Sequence, residues 1–305
     1  MELPEKMTVK QAILSTLAYF DLFEVPLTRE ELSEYLLFEK AEERALDLYL
    51  KDSSVVHKRE GFLSFRWNPE FWQEWEEKQA RTRSAFKKVA RWRWLLQLCP
   101  FVKLVAVCNS STIGDTRENS DIDLFVVAKP GRLFTARLGL TLLTSMFGLR
   151  RHGSKVRGRF CLSFYVTEEA MDLSAIALPS YDIYLAFWAH SLEPVAGEYA
   201  TYEAFVAHNE RWLSSYFHLT PKRKRHFRAR RGFIKFMHGF LELILNFDAV
   251  ERWCRSKQWS RALAKFQTLE DKSGTLISDS MLKFHDHDAR LEIREEWRKK
   301  VEKLV

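Results

Sequence analysis

The chain has 305 residues, of which 46% are hydrophobic and 29% are charged, and its formal net charge is +7. This composition is that of an ordinary globular protein and excludes a largely disordered chain. The length indicates two domains, or one domain with appendages, and allows a sizeable core. The positive charge favours an anionic partner such as a nucleotide or a nucleic acid.

The four cysteines are scattered and form no Cys-x-x-Cys pair, so we expect reduced cysteines in a cytoplasmic protein. The N-terminus lacks a basic stretch followed by an apolar one, so no secretory signal is expected. The longest apolar stretch, 240–247, is interrupted by polar residues and is far too short to cross a bilayer, so no transmembrane segment is expected.

The first 68 residues predict three helices followed by a β-hairpin. Helical spacing of apolar residues covers 8–23, and Thr28 with Glu31 forms a capping box that starts a second helix. A third helix is expected near 41–50, and a hairpin over 55–67. This order is typical of a winged-helix-like domain over 1–68. Its third helix is acidic, which favours protein contact or substrate positioning, although duplex DNA binding stays an alternative.

A long connecting helix is expected over 69–99, ending before Pro100. The second half of this helix, 81–93, is rich in Lys and Arg. We expect a solvated connector, with a basic surface that guides a nucleic acid or a nucleotide as the alternative.

The most informative stretch, 105–127, contains a strand, a polar turn and a second strand. Because side chains at i and i+2 of a strand share a face, Asp121 and Asp123 should present two carboxylates side by side, with Ile122 and Leu124 on the other face. Such a pair favours a divalent cation with oxygen ligands, Mg²⁺ or Mn²⁺. A merely solvated pair of carboxylates is the alternative. The serine-rich turn at 109–112 enters a short helix, where backbone N–H groups favour an anion.

A carboxylate pair beside an anion-binding turn is the arrangement that nucleotidyl transfer needs. The stretch resembles the Gly-Ser…Asp-x-Asp signature of the DNA polymerase β-like nucleotidyltransferases, most closely the minimal ones. The residues in register with that signature are Ser110, Gly114, Arg117, Ser120, Asp121, Asp123 and Leu124. The stretch 19–31 also looks like the start of winged-helix-plus-nucleotidyltransferase proteins of uncharacterised bacterial lineages, and this resemblance covers residues 8 to about 215.

The resemblance implies an α+β fold with a mixed-sheet nucleotidyltransferase core over 100–197. It implies that Asp121 and Asp123 are catalytic and bind Mg²⁺ or Mn²⁺, with an NTP such as ATP as the substrate. The residues expected to contact the nucleotide are Asn109, Ser110, Ser111, Arg117 and Ser120.

Two departures from the family's pattern stand out. Asn109 replaces the family's Gly, and Asn tolerates a left-handed backbone better than most residues. A third carboxylate is expected on a later strand, 159–167, whose alternation predicts Cys161, Ser163 and Tyr165 on the face that should carry it. The other face is predicted to carry Phe160, Leu162, Phe164 and Val166. Ser163 then stands in place of the acid. The residues just past the strand that can substitute are Glu168, Glu169 and Asp172; otherwise the protein binds nucleotide without turning it over.

The rest of the chain is expected to be mostly helical, with a helix over 132–149, helices at 181–191 and 198–217, and a helical C-terminal region over 198–305. The cationic loop 150–159 is a candidate triphosphate clamp or a solvated loop, and the basic segment 222–231 is a candidate site for RNA, DNA or an anionic membrane. The apolar-rich helix 233–250 is expected to pack on the core, with a membrane-surface helix as the alternative.

Two main hypotheses follow. The first is a nucleotidyltransferase that moves an NMP from an NTP to a hydroxyl acceptor, with RNA favoured by the basic segments 81–93, 150–159 and 222–231. A small-molecule or protein hydroxyl stays open as the acceptor. The second is a degenerate member of the fold that binds nucleotide or nucleic acid in a regulatory role. A winged-helix repressor is a third alternative.

Overall fold

The computed structural model describes residues 7–218, 223–268, 271–284 and 288–304. They form a mixed α/β protein with one small antiparallel sheet and one larger mixed sheet. The predicted α+β class with a mixed sheet is therefore confirmed at this level.

The N-terminal part contains the three helices and the hairpin that its sequence predicts. Helix α1 spans Val9–Leu22, α2 Arg29–Glu34 and α3 Glu43–Asp52, with strands β1 at Leu27–Thr28, β2 at His57–Arg59 and β3 at Phe62–Ser64. The strands pair in the order β1-β3-β2. The predicted capping box is present, since Thr28 Oγ1 accepts from the N–H of Glu31 while the Glu31 carboxylate accepts from the N–H of Thr28.

Helix α4 spans Pro69–Leu98, about 45 Å in length. Its first half buries Phe71, Trp72 and Trp75 in a core shared with α1, and its second half buries Val89 and Leu96 in a core against the larger sheet. The expectation of a solvated connector is therefore wrong. One side of α4 is an integral part of both cores, because its aromatic and aliphatic residues recur at helical spacing among the charges.

The larger sheet has seven strands in the order β8-β7-β4-β5-β6-β10-β9. Their bounds are β4 Val102–Val107, β5 Ile122–Ala128, β6 Phe160–Thr167, β7 Glu193–Gly197, β8 Arg228–Ala229, β9 Thr275–Ile277 and β10 Met281–Phe284. The pairs β5–β6 and β7–β8 are parallel, and the other neighbours are antiparallel.

The remaining helices pack on the larger sheet or on other helices. Their bounds are α5 Ser110–Ile113, α6 Leu133–Met146, α7 Ile183–His190, α8 Tyr199–Leu213, α9 Gly232–Leu245, α10 Asp248–Thr268 and α11 Arg290–Leu304. The predicted single helix over 233–250 is two helices, because the chain leaves the helical conformation at Asn246. The C-terminal region is also not purely helical, since it supplies β8, β9 and β10.

Helix α11 packs on α1, where the indole Nε1 of Trp297 donates to the backbone oxygen of Ser15 at 2.9 Å. The C-terminal end of the described chain thus completes the core that contains the N-terminal helices. Among the described helices, none combines the length and the apolar character that crossing a bilayer requires.

The expected alternation of β6 is interrupted. Asp123 pairs with Cys161 but Phe125 pairs with Phe164, so β6 has one extra residue opposite β5. Such a bulge reverses which face the later side chains take. Phe164 therefore lies in the core that contains Phe125, while Phe160 and Tyr165 lie in the opposite core. The prediction that Phe160 and Phe164 share a face is wrong for this reason.

Candidate functional site

The two predicted carboxylates lie together at the start of β5. Asp121 and Asp123 share one face, whereas Ile122 and Leu124 are buried in the core on the other face, as predicted. Carboxylate oxygens of both residues and the Sγ of Cys161 all lie within 4.8 Å of one another. These three side chains form a cluster of potential metal ligands, which we call the Asp–Asp–Cys cluster.

Asn109 holds the second carboxylate in place. Its backbone has φ 59° and ψ −142°, a conformation that favours glycine, so the chain tolerates some strain at this turn. The Nδ2 of Asn109 donates to Asp123 Oδ2 at 3.0 Å, and its Oδ1 accepts from the hydroxyl of Tyr184 at 3.0 Å. Asn109 thus links Tyr184 of helix α7 to the Asp123 carboxylate. Sequence reasoning did not find Tyr184, since nothing in its neighbourhood distinguishes it from a core aromatic.

Arg151 reaches the cluster from the cationic loop. Its Nη1 donates to Asp121 Oδ2 at 2.7 Å. The loop is held by further contacts, because Arg159 donates to the backbone oxygen of Gly148 at 2.7 Å and Lys88 donates to that of Gly158 at 2.6 Å. The loop is therefore anchored to α4 and to the end of α6. The sequence signal for Arg151 was the run of five cations, which gave no indication of which one contacts the carboxylates.

The protonation of the cluster is shifted by burial. Desolvation, together with the neighbouring charge of Asp121, raises the pKa of Asp123 to about 6, against the opposing hydrogen bond from Asn109. Burial and the two carboxylates raise the pKa of the Cys161 thiol to about 12. Near neutral pH, Asp123 is therefore ionised but lies close to its pKa, and the Cys161 thiol is protonated.

A cleft of about 800 Å³ opens over the cluster. The positively charged and histidine side chains that line it are Arg137, Arg150, Arg151, His152 and Arg261. A second cavity of about 240 Å³ adjoins it and is lined by aromatic side chains that include Tyr19 and Trp188. Asn109, Asp123 and Tyr184 line both spaces. A charged cleft and an aromatic cavity thus meet at the Asn109–Asp123 contact.

The three acids that the sequence suggests as a third carboxylate do not lie at the Asp–Asp–Cys cluster. Glu168, Glu169 and Asp172 follow the end of β6, and β6 runs parallel to β5, so they lie at the opposite end of the strands from Asp123. Six residues of strand correspond to about 20 Å. The side chain paired with Asp123 is Cys161, not Ser163, because Cys161 precedes the bulge. Ser163 lines the cleft further along β6.

The five residues expected to contact a nucleotide are distributed unevenly. Asn109 lines the charged cleft and Ser110 the aromatic cavity. Ser111 is buried, and its Oγ has no hydrogen-bond partner among the described residues. Arg117 is exposed and pairs with Asp115, while its N–H donates to Ser120 Oγ at 3.0 Å. Neither Arg117 nor Ser120 lines the cleft or the aromatic cavity, although Ser120 directly precedes Asp121 in the chain.

Helix α4 packs against the residues that follow the turn. A Cβ atom at Gly114, where φ is +86°, would lie 3.0 Å from the Trp75 ring and from the Gln79 side chain. Lys78 is buried and its Nζ lies 2.9 Å from Asp115 Oδ1, just past the turn. The connecting helix therefore positions the loop that joins the turn to the carboxylate strand.

Some of the cations in the basic segments 81–93 and 222–231 are paired with other groups of the protein. In 81–93, Arg81 pairs with Glu74 and Glu77, and Arg93 donates to the backbone oxygen of His226. In 222–231, Lys222 lies outside the described residues, and Arg223 pairs with Glu34. The cations of these two segments that remain exposed are Arg83, Lys87, Arg91, Lys224, Arg225, Arg228 and Arg231.

A groove of about 1020 Å³ lies between α2, α4 and the basic segment. Arg83 and Lys87 line one side of this groove, Lys224 and Arg225 line it from the basic segment, and α2 contributes acidic side chains. These acids are Glu30, Glu31 and Glu34. Ser111 of the turn and Gly114, just past it, also line the groove. Asn109, the first residue of the same turn, lines the cleft. The groove and the cleft therefore lie on two sides of this turn.

No protein-family model matches this chain, and neither the curated proteins nor the solved structures yield a match. The functional assignment therefore rests on the geometry of the site.

Proposed function

We propose that this protein is a metal-dependent nucleotidyltransferase, which moves an NMP from an NTP to a hydroxyl acceptor. The observation that carries the proposal is the placement of Asp121 and Asp123 on one strand face beneath a cleft lined by four arginines. Carboxylates that bind a divalent cation, next to cations that bind a triphosphate, are the arrangement that nucleotidyl transfer requires.

The arginines of the cleft bind the triphosphate in this proposal. Guanidinium groups match phosphate oxygens in pairs, so Arg150, Arg151 and Arg261 hold the anionic chain while the acceptor hydroxyl attacks the α-phosphorus. Pyrophosphate leaves on the opposite side. Asn109 keeps Asp123 oriented toward the cleft, and Tyr184 keeps Asn109 in place. The adjoining aromatic cavity is suited to the base of the nucleotide.

The two carboxylates of the Asp–Asp–Cys cluster suit a divalent cation such as Mg²⁺, but the thiol of Cys161 does not. Asp121 and Asp123 offer oxygen atoms, which Mg²⁺ and Mn²⁺ prefer, but Cys161 offers sulfur, which Mg²⁺ does not. Two carboxylates, with oxygens from the substrate's phosphates, are a sufficient set for Mg²⁺ at such sites. When bound, the cation supplies charge neutralisation for the triphosphate and for the leaving pyrophosphate.

The acceptor in this proposal is a nucleic acid, most simply RNA. The groove beside the turn carries exposed cations from two elements, Arg83 and Lys87 on α4 and Arg225 on the basic segment. These exposed cations are suited to a phosphate backbone, whereas the α2 wall of the groove carries Glu30, Glu31 and Glu34. Residues 1–68, with helices α1 to α3 and the β2–β3 hairpin, are proposed as a winged-helix-like domain that forms one wall of this groove through α2.

A second candidate function is regulatory binding of nucleotide without turnover. Two observations favour it: Cys161 stands beside Asp123 where a third carboxylate would complete a two-metal site, and Arg151 pairs with Asp121. A guanidinium on a metal-binding carboxylate competes with the cation.

A transfer assay with a matched control distinguishes these candidates. The protein is incubated with each labelled NTP, Mg²⁺ or Mn²⁺ and bulk RNA. Catalysis predicts labelled RNA that is lost in Asp121→Asn and in Asp123→Asn but retained in Glu168→Gln, which removes an acid at the other end of the strands. Nucleotide binding by the wild type without product, across RNA, small-molecule and protein acceptors, would favour the regulatory function. Absence of both binding and product would contradict both candidates.

A further inference from the structure

Helix α9 is oriented with polar groups toward the protein. His238 is buried, and its Nε2 lies 3.2 Å from Glu242 Oε1. The same carboxylate oxygen accepts from the backbone N–H of Phe101 at 2.8 Å. His238 and Glu242 are one turn apart, so they fix the inward face of the helix. The expectation that this helix packs its apolar side on the core is therefore wrong in part.

The outward face of α9 is apolar, and so is Phe247, two residues past the end of the helix. Six large side chains there have between 45% and 75% of their surface exposed. They are Phe233, Phe236, Phe240, Leu243, Ile244 and Phe247. They recur every three or four residues, so they form a single stripe along the helix, about 21 Å long. We call it the α9 stripe. Soluble surfaces rarely expose a continuous set of this size unless it contacts a partner.

The charges that precede the α9 stripe along the chain have one sign, whereas Asp248, which follows it, is paired with Arg132. Between residues 223 and 247 the sequence has seven Lys and Arg and a single acid, Glu242, which points inward. Arg223 and Arg230 have most of their side-chain surface buried and are paired with acids. The exposed cations of this stretch are Lys224, Arg225, Arg228, Arg231 and Lys235.

We propose that α9 and the basic residues before it form a peripheral binding surface for an anionic lipid bilayer, with the α9 stripe lying flat below the headgroups. A bilayer offers negative charge at its surface and an apolar interior beneath, which matches both features. A second copy of this chain brings the same positive charges, so it lacks the complementary charge.

Vesicle flotation of the full chain tests this surface. The vesicles are phosphatidylcholine alone, or phosphatidylcholine with about 30% phosphatidylserine, a typical anionic content. The wild type is expected to float with the anionic vesicles and to be released by high salt. The double variant Phe236→Glu/Leu243→Glu should lose roughly tenfold or more of this binding, because charge is then placed in the acyl region. The control Met146→Glu changes an exposed apolar residue on α6 and should bind like the wild type.

Circular dichroism shows whether each variant remains folded, and Arg228→Glu/Arg231→Glu provides a second test because it leaves the α9 stripe intact. This charge variant should lose binding to anionic vesicles as well. The proposal is overturned if the wild type fails to bind anionic vesicles, or if the folded double variant binds them unchanged. It is also overturned if light scattering shows a dimer that the double variant dissociates while no vesicle binding occurs.

Discussion

The guanidinium of Arg151 lies 2.7 Å from Oδ2 of Asp121, one of the two carboxylates proposed to bind the metal. The loop that carries Arg151 also lines the cleft. The Arg151 side chain can therefore pair either with Asp121 or with a triphosphate. When a cation and its nucleotide bind, Arg151 is expected to leave Asp121 and contact the phosphates.

The first prediction concerns this exchange. Arg151→Ala should raise the affinity of the nucleotide-free protein for Mn²⁺ by about three- to tenfold, because a competing positive charge is removed. The same variant should bind NTP more weakly, since one phosphate contact is lost. Mn²⁺ titration followed by electron paramagnetic resonance measures the first effect, and calorimetry measures the second.

Arg157→Ala is the matched control, since Arg157 lies on the same loop but pairs with the exposed Glu118. It should change neither affinity by more than about twofold. Equal effects of both variants would show that only the net charge of the loop matters.

The second prediction is a pH dependence of metal binding. Because burial and Asp121 raise the pKa of Asp123 to about 6, protons compete with the cation below this value. Mn²⁺ affinity should be constant above about pH 7 and should fall as the pH drops through 6. Asn109→Gly removes the hydrogen bond that opposes this shift, so its midpoint should lie at higher pH. A midpoint that is unchanged in this variant would contradict the role of Asn109.

The same shift has a consequence for stability. A carboxyl group whose folded-state pKa is raised above its unfolded value binds more protons when folded. Its contribution to the stability of the metal-free protein is therefore present below the unfolded pKa and is lost as the pH rises through about 6. Asp123→Asn should flatten this part of the stability profile, which urea unfolding at a series of pH values would measure.

The third prediction concerns the ligand beside Asp123. Cys161→Asp places a third carboxylate where β6 pairs with Asp123, so Mg²⁺-dependent activity should rise relative to the wild type. Cys161→Ser is the control, since it replaces the sulfur without adding a charge. A fall in activity in a folded Cys161→Asp variant, as judged by circular dichroism, would count against a carboxylate-limited metal site.

The fourth prediction is structural. Lys78 and Asp115 are both more than nine-tenths buried and lie 2.9 Å apart. Lys78→Met leaves the buried Asp115 carboxylate with the exposed Arg117 as its ion-pair partner, so the cost should be about 3 kcal/mol of unfolding free energy, the lower end for a broken buried pair. The exposed pair of Arg157 and Glu118 provides the comparison, since Glu118→Gln should cost less than about 1 kcal/mol. Chemical denaturation measures both values.

The strands that carry the site could be predicted because their signals are local. Alternation places Asp121 and Asp123 on one face of β5, and the structure keeps that register. The bulge in β6 has no such signal, because it depends on how that strand fits against β5. The sequence therefore predicted Ser163 in place of the third acid, whereas the register of β6 puts Cys161 opposite Asp123, before the bulge.

The strands β7 to β10 were missed for a related reason. β7 contains Pro194 and ends at Gly197, which disfavour a strand in isolation, and β8 has only two residues. These strands form because neighbouring strands offer unpaired edges. Arg151, Lys78 and Tyr184 likewise contact site residues that are far from them in the sequence. Residue spacing therefore could not predict these contacts.

The central claim is that the α-phosphorus of an NTP reacts in the cleft above Asp121 and Asp123. It is tested most directly by parallel reactions with NTP labelled at the α-phosphate or at the γ-phosphate, with Mg²⁺ or Mn²⁺ and RNA. The account predicts α-label in the RNA and γ-label in pyrophosphate, with both products lost in Asp123→Asn. Transfer of the γ-label to the acceptor, or α-label incorporation that persists in Asp123→Asn, would contradict it.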